Sequence, residues 1–203
     1  MAHVSAAERR PQLIAAAIEL MAREGVAAGS TRAIAAELGV AQATVHYTFG
    51  TKADLYRAVL ETLTADLLAG VQQAAARADS LEEALRATAD TIWTDLVDRP
   101  DLNLLWLELV ALSMRTPELR EVVVRYHQEV SELGAGALRD VARRSGRSYA
   151  LPPEELARFL INGLDGLCMS LVIEGAKPDA GTRRALDQLL AAAVALASGP
   201  DAP

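Results

Sequence analysis

Thr31-Arg-Ala-Ile-Ala-Ala-Glu-Leu-Gly-Val-Ala-Gln-Ala-Thr-Val-His-Tyr-Thr-Phe-Gly-Thr-Lys52 is the stretch that decides the fold. Two short helices joined by a tight turn need a small residue where they touch, a residue that tolerates positive φ at the turn, and an apolar anchor on the inner side of the second helix. Ala35, Gly39 and Val45 supply these at separations of four and six. Ile34, Leu38, Val40 and Phe49 complete a small core with the preceding helix. The outer side of the second helix is left to Gln42, Ala43, Thr44, His46 and Tyr47. Such groups can reach base edges or phosphates in a major groove.

Working outward, every neighbouring segment reads as helix. Upstream, Glu8–Glu24 carries Leu13, Ala17, Leu20 and Met21 on one stripe, with Ile14 and Ile18 beside it and Gly25 closing it. Thr31 is placed to cap Arg32–Leu38, and Gln42–Thr48 follows Gly39. A long helix from Lys52 to about residue 78 opens with a Thr51/Asp54 capping pair and repeats Leu55, Val59, Leu63, Leu67 and Val71 every four residues. Ser80 and Glu83 begin the next helix, which stops at Arg99–Pro100. Asp101–Met114, a helix entered through Thr116–Pro117 and running to Ser145, Glu154–Glu174 and Thr182–Ala197 complete the series, with Gly146–Pro153 the longest loop. No alternating strand pattern or internal repeat appears, so the predicted architecture is all-α with about nine helices. An N-terminal three-helix helix-turn-helix domain (1–50) precedes a helical bundle (51–203).

Composition agrees. Of 203 residues, 51% are hydrophobic but only 4% aromatic, and 40 are alanine, the strongest helix former. The net charge of −7 argues against a chain that coats nucleic acid indiscriminately. Its distribution matters more: residues 1–60 hold six Lys/Arg and five Asp/Glu, a net +1, which leaves −8 for the rest. A near-neutral module thus sits on an acidic one. The single cysteine, Cys168, excludes an internal disulfide framework and suits a reducing cytoplasm. No run of 18 uncharged apolar residues is present, so no membrane partner is expected, and Glu19 interrupts the apolar stretch Leu13–Ala22 that would otherwise imitate a signal segment. His3, His46 and His127 share no metal-ligand spacing, and there is no nucleophile motif, paired-carboxylate signature or phosphate loop, so no metal, cofactor or catalytic residue is assigned.

Residues 9–60 resemble the DNA-binding domain of TetR-family transcriptional regulators. Thr31, Ile34, Ala35, Leu38, Gly39, Val40, Thr44, Val45, Tyr47, Phe49, Lys52 and Leu55 stand in that pattern. The resemblance implies that Thr31, Thr44 and Lys52 hold DNA phosphates, that Arg32, Gln42 and Ala43 face bases, and that Tyr47 lies against the backbone. His46 and Thr48 are counted among the DNA-binding positions too, though the family has Tyr, and His or Tyr, respectively, at those places. Asp101–Arg120 is similar to the BetI-like subgroup. The resemblance also implies a homodimer on a palindromic double-stranded DNA operator, released by a small-molecule effector, with repression the expected sign.

In the acidic part, Trp93, Trp106, Met114, His127, Asn162, Cys168 and Met169 are the candidate ligand-pocket residues, each with an ordinary packing role as the alternative; for Asn162 and Asp165, solvent is the simpler reading. Gly163, Gly166 and Ser170 let a second helix approach closely. Leu156, Leu160, Leu164, Leu167 and Leu171, with Leu186, Leu189, Leu190 and Val194, supply apolar area for a four-helix dimer interface. Arg143, Arg144 and Arg147 suit a helix C-terminus. The alternative function is a helical small-molecule- or partner-binding protein with a disused DNA-reading face.

Overall fold

The computed structural model describes residues 6–198 apart from 77, 147 and 176. Among them all regular structure is helical: α1 (Ala6–Glu24), a 3-10 turn (Val26–Ala28), α2 (Thr31–Leu38), α3 (Gln42–Phe49), α4 (Lys52–Ala76), α5 (Leu81–Asp98), α6 (Pro100–Ser113), α7 (Pro117–Ser145), α8 (Pro153–Glu174) and α9 (Ala180–Ser198). The capping signals act nearly as the sequence suggests. Asp54 N–H donates to Thr51 Oγ1 at 3.1 Å while Thr51 Oγ1 donates back to Asp54 Oδ2 at 2.6 Å. Glu83 N–H donates to Ser80 Oγ at 3.1 Å, and Asp79 N–H to the Glu83 carboxylate at 3.0 Å. One cap differs: Ser30, not Thr31, caps α2, its Oγ accepting from Ala33 N–H at 3.2 Å. Ser30 has the extended backbone that a cap requires, whereas Thr31 is already in the helix.

The chain divides into two compact units. The first comprises the chain up to residue 65 together with 101–125; the second comprises 66–100 and 126–203. In the first, the predicted stripe of α1 is buried, with Leu13 and Ala17 fully so. It packs with Ile34 and Ala35 of α2, Val45 and Phe49 of α3, and Leu55, Val59 and Leu60 of α4. Leu105 and Leu109 of α6 and Leu119, Val122 and Val123 of α7 join the same core. This unit takes in more chain than residues 1–50 because α6 and the start of α7 supply Leu105, Leu109, Leu119, Val122 and Val123 to the core around α1. The core of the second unit is Leu81, Ala84 and Leu85 of α5, Ala135, Leu138 and Val141 of α7, Leu156, Ala157 and Leu160 of α8, and Ala193 and Ala197 of α9. The Leu67 and Val71 side chains, His3 and Arg147 lie outside the described residues.

Helix α8 is, among the described residues, the one helix long and apolar enough to cross a membrane by length and composition, with only 22% of that stretch buried. The criterion of 18 uncharged residues passes over it because Arg158, Asp165 and Glu174 break the run. It packs closely against α9: a Cβ at Gly163 would lie 2.5 Å from Leu189 Cδ1, so this glycine makes the helix approach possible.

Candidate nucleic-acid interface and sensor cavity

The turn between α2 and α3 is built as the spacing requires. Gly39 takes φ 66°, ψ 35°, and its N–H donates to the carbonyls of Ala35 and Ala36. A Cβ there would meet nothing within 4 Å, so the demand is for left-handed backbone rather than for space. Val45 is fully buried and Ala35 nearly so, which fixes how α3 is rolled. Gln42, Ala43, His46 and Tyr47 consequently face solvent, Tyr47 at 92% exposure. Thr44 is half-buried at the edge of the same face.

The polar groups on this face are partly preorganised. Gln42 Nε2 donates to Thr31 Oγ1 at 3.2 Å, which orients the Gln42 amide and ties α3 to the start of α2. Ala41 precedes α3 with no side-chain cap; Thr44 N–H donates to the Ala41 carbonyl at 2.9 Å, which leaves the amides of Gln42 and Ala43 open to an anion. Arg32 is exposed at the start of α2 and forms no ion pair among the described residues. Lys52 stands at the start of α4 with Nζ 5.2 Å from the Tyr56 ring centroid. Thr48 departs from its expected role: its Oγ1 donates to the Thr44 carbonyl at 2.8 Å, so the hydroxyl proton is already engaged in the helix and is not offered to a phosphate. Arg10, absent from the expected site, is signalled in the sequence only by its place near the start of α1. Its guanidinium lies 4.9 Å from the Phe49 ring centroid and donates to the Thr48 carbonyl at 3.5 Å, holding a cation at the α3 C-terminus. The Thr51 hydrogen bond, and secondarily Arg57 and Arg10, hold the Asp54 carboxyl below the usual carboxylate range.

Behind this face, the 3-10 turn is clamped from two helices. Val26 N–H donates to Glu108 Oε2 of α6 at 2.8 Å, and the Tyr56 hydroxyl of α4 donates to the Val26 carbonyl at 2.9 Å. Gly25 enters the turn at φ 84°.

The second unit contains a cavity of about 180 Å³ lined by α4, α5, α7 and α8. His127 and Cys168 line it as the sequence suggests; Trp93, Trp106, Met114, Asn162 and Met169 do not. Helical phase explains the misses. Leu160, Ile161, Leu164, Asp165 and Cys168 form the lining stripe of α8, which turns Asn162 and Met169 to solvent. Ile92 takes the position that Trp93 would need, one residue and 100° away. Trp93 instead lies 5.7 Å beneath the Arg183 guanidinium, which is paired with Asp90 and Asp187. Trp106 packs on the core of the first unit, and Met114 is exposed. Asp165, for which solvent is the simpler reading of the sequence, belongs to the lining along with Tyr126 and Thr88. Desolvation on the cavity side raises the Asp165 carboxyl above the ordinary carboxylate range, with His127 opposing. Burial, reinforced by Asp165, pushes the Cys168 thiol up to about 11 and moves the Tyr126 hydroxyl upward as well.

The leucines assigned to a dimer interface also divide. Leu156, Leu160, Leu171 and Leu186 are buried within the chain itself; Gly163 is pressed on Leu189; Leu164 lines the cavity. Leu167, Leu189, Leu190 and Val194 are half-buried. The open faces are Asn162, Gly166, Met169 and Ile173 on α8 and Gln188, Ala191, Ala192 and Ala195 on α9. The reason is again phase: the leucine-rich stripe is the one the chain needs for its own core.

A short helix rolled outward by a buried valine, with an open first turn and cations at its margins, defines a helix-turn-helix DNA-binding protein with a helical second unit. Two family models match the chain, the second running through residues 101–125 that pack in the first unit. Residues 13–59 match the bacterial regulatory proteins of the tetR family, and residues 81–198 match the C-terminal part of the BetI-type transcriptional repressors. The chain belongs to the TetR family of transcriptional regulators, with a C-terminal part of the BetI type. It is 33% identical over 172 residues to the transcriptional regulator BetI of Ectopseudomonas mendocina (83% of this chain, 82% of the relative). It is 29% identical over 180 residues to HdnoR, a nicotine-responsive transcriptional repressor of Paenarthrobacter nicotinovorans (86% and 89%). The crystal structure of a TetR-family regulator from Mesorhizobium loti shares the fold, with TM-score 0.80 at 19% identity over 95% of this chain and 98% of that one.

Proposed function

We propose that the protein is a homodimeric repressor that binds a palindromic operator and releases it when a small molecule occupies the cavity of the second unit. The observation that carries this reading is the outward face of α3: Gln42, Ala43, His46 and Tyr47 exposed, and Gln42 pre-oriented by Thr31. Gln42, Ala43 and Arg32 read base edges. Thr31, Thr44, Lys52 and the first-turn amides of α3 hold phosphates, and Tyr47 lies on the sugar-phosphate backbone. The function requires a reducing bacterial cytoplasm, where the DNA is.

One α3 spans too few base pairs for useful affinity, so a twin subunit is needed, and its two-fold axis imposes dyad symmetry on the site. The open faces of α8 and α9 suit that role. They combine small residues (Gly166, Ala191, Ala192, Ala195) with the exposed apolar side chains of Met169 and Ile173, the latter at 76% exposure. Effector release requires a structural link from cavity to reading head. Helix α4 contributes Leu68 to the cavity and Tyr56 to the clamp on the 3-10 turn, so a ligand that displaces α4 acts on the turn before α2. By linkage, such a ligand must bind the DNA-free state more tightly, and the operator must weaken its binding by the same factor.

Footprinting on the DNA upstream of the gene tests the reading. The expected result is a dyad-symmetric protected site with half-sites about one helical turn or more apart, bound by two chains. Protection without symmetry, or binding by a single chain, overturns it.

A further inference from the structure

The cavity is apolar on most of its wall, and its polar groups gather on one side. Asp165 stands there at the mouth, exposed to solvent on its outer side and facing Tyr126, His127 and Cys168. No Lys or Arg lines the cavity, so an anionic ligand finds no cation other than His127. The Asp165 carboxyl accepts no hydrogen bond among the described residues; the interactions acting on it are desolvation and the charge of His127. A carboxyl group partly desolvated by an apolar wall gains from a ligand that brings it a hydrogen-bond donor. The volume of about 180 Å³ sets the ligand's size, since a cavity of roughly 150 Å³ holds a single benzene ring. Quaternary ammonium recognition uses a cage of aromatic faces, and this lining has one ring besides the imidazole, Tyr126.

Resting on the effector role given to this cavity above, we propose that its ligand is a protonated primary or secondary amine on an apolar body of about one ring, its N–H donating to Asp165. The neighbouring acids do not compete for the amine. The Cys168 thiol, pushed up to about 11, and the Tyr126 hydroxyl, also shifted upward, both stay neutral near pH 7, which leaves Asp165 as the carboxyl group on this wall.

Calorimetric titration of the full chain with three single-ring probes tests this at about pH 8, where an aliphatic amine is protonated. Benzylamine should bind about tenfold or more tighter than benzyl alcohol, and benzyltrimethylammonium no tighter than the alcohol. Asp165→Asn should bring benzylamine down to the level of the alcohol. In the unaltered chain, lowering the pH through the raised carboxyl pKa should weaken benzylamine and leave the alcohol unchanged; this arm needs no variant. Equal binding of amine and alcohol, a quaternary ion that matches the amine, insensitivity to Asp165→Asn, or no binding of any probe overturns the proposal. The same titrations with footprinted operator DNA present separate the two readings. Asp165-dependent benzylamine binding that leaves DNA affinity unchanged sustains the amine site and removes its effector role.

Discussion

The two compact units place function in opposite ways. In the first, the working groups are what remains outside once a tight backbone motif has buried Ile34, Ala35 and Val45. In the second, they are what remains inside, where four helices fail to fill the space between Leu85, Tyr126 and Leu164. An outward face follows from one local turn, because Gly39 and Val45 together fix the roll of an eight-residue helix. A cavity follows from the relative phase of several long helices, and a single residue's rotation moves a side chain from wall to solvent. Identical rules of helix packing therefore produce a site that tolerates little change in its frame and one that can be reshaped by substitutions along its walls.

The largest effects should come from the frames themselves. Leu13→Ala in the first unit and Leu156→Ala in the second each remove a fully buried leucine, at a cost of about 2–5 kcal/mol. If the units unfold cooperatively, both substitutions shift one transition in urea. Two separate transitions, each moved by only one substitution, would divide the protein energetically where packing divides it. Smaller effects are expected on the reading face. Gln42→Ala should relax discrimination by about 1–3 kcal/mol at one base position of each half-site, leaving other positions unaffected. Lys52→Ala should weaken all sequences alike and reduce the log–log salt slope by about 0.9 for each phosphate that the lysine neutralises. Operator variants assayed at several salt concentrations distinguish the two, and a Lys52→Ala protein with altered base preference would contradict its assignment to a phosphate.

The difference between the units also governs how much was legible in the sequence. Helix positions and most caps could be read throughout, since Gly25, Thr51, Ser80 and Pro117 act within a turn of themselves. The reading face was legible as well, because its geometry is encoded within about twenty consecutive residues. The 3-10 clamp was not: Glu108 lies 82 residues from Val26, and no local pattern announces that pairing. Arg10 at the end of α3 was hidden for the same reason. In the second unit, chemical type was a poor guide. The two tryptophans drew attention as large rings, yet Trp93 is engaged with Arg183, and Trp106 belongs to the first unit and packs on that unit's own core. Asp165 is a single acid in an apolar helix, which solvent and cavity explain equally well until the phase of α8 is known.

The smallest prediction contrasts the two units through one acid from each. In the reading unit, the Thr51 hydrogen bond keeps the folded-state pKa of Asp54 below its unfolded value. Its contribution is therefore present above the unfolded pKa and is lost as the pH falls through the folded one. Desolvation raises Asp165 in the sensor unit, so the folded state holds that proton more tightly than the unfolded chain does. Stability attributable to Asp165 should decline as the pH rises from the unfolded pKa through the raised one. Melting curves for Asp54→Asn and Asp165→Asn, each subtracted from the unaltered chain across the acid range, should slope in opposite directions. Both carboxylates are solvent-accessible and the expected amplitudes are small, so the sign of the slope is the quantity that decides. Parallel slopes would mean that the cavity does not desolvate Asp165, and would remove the physical basis for giving it a ligand that the reading face, with its fully hydrated acids, has no means to hold.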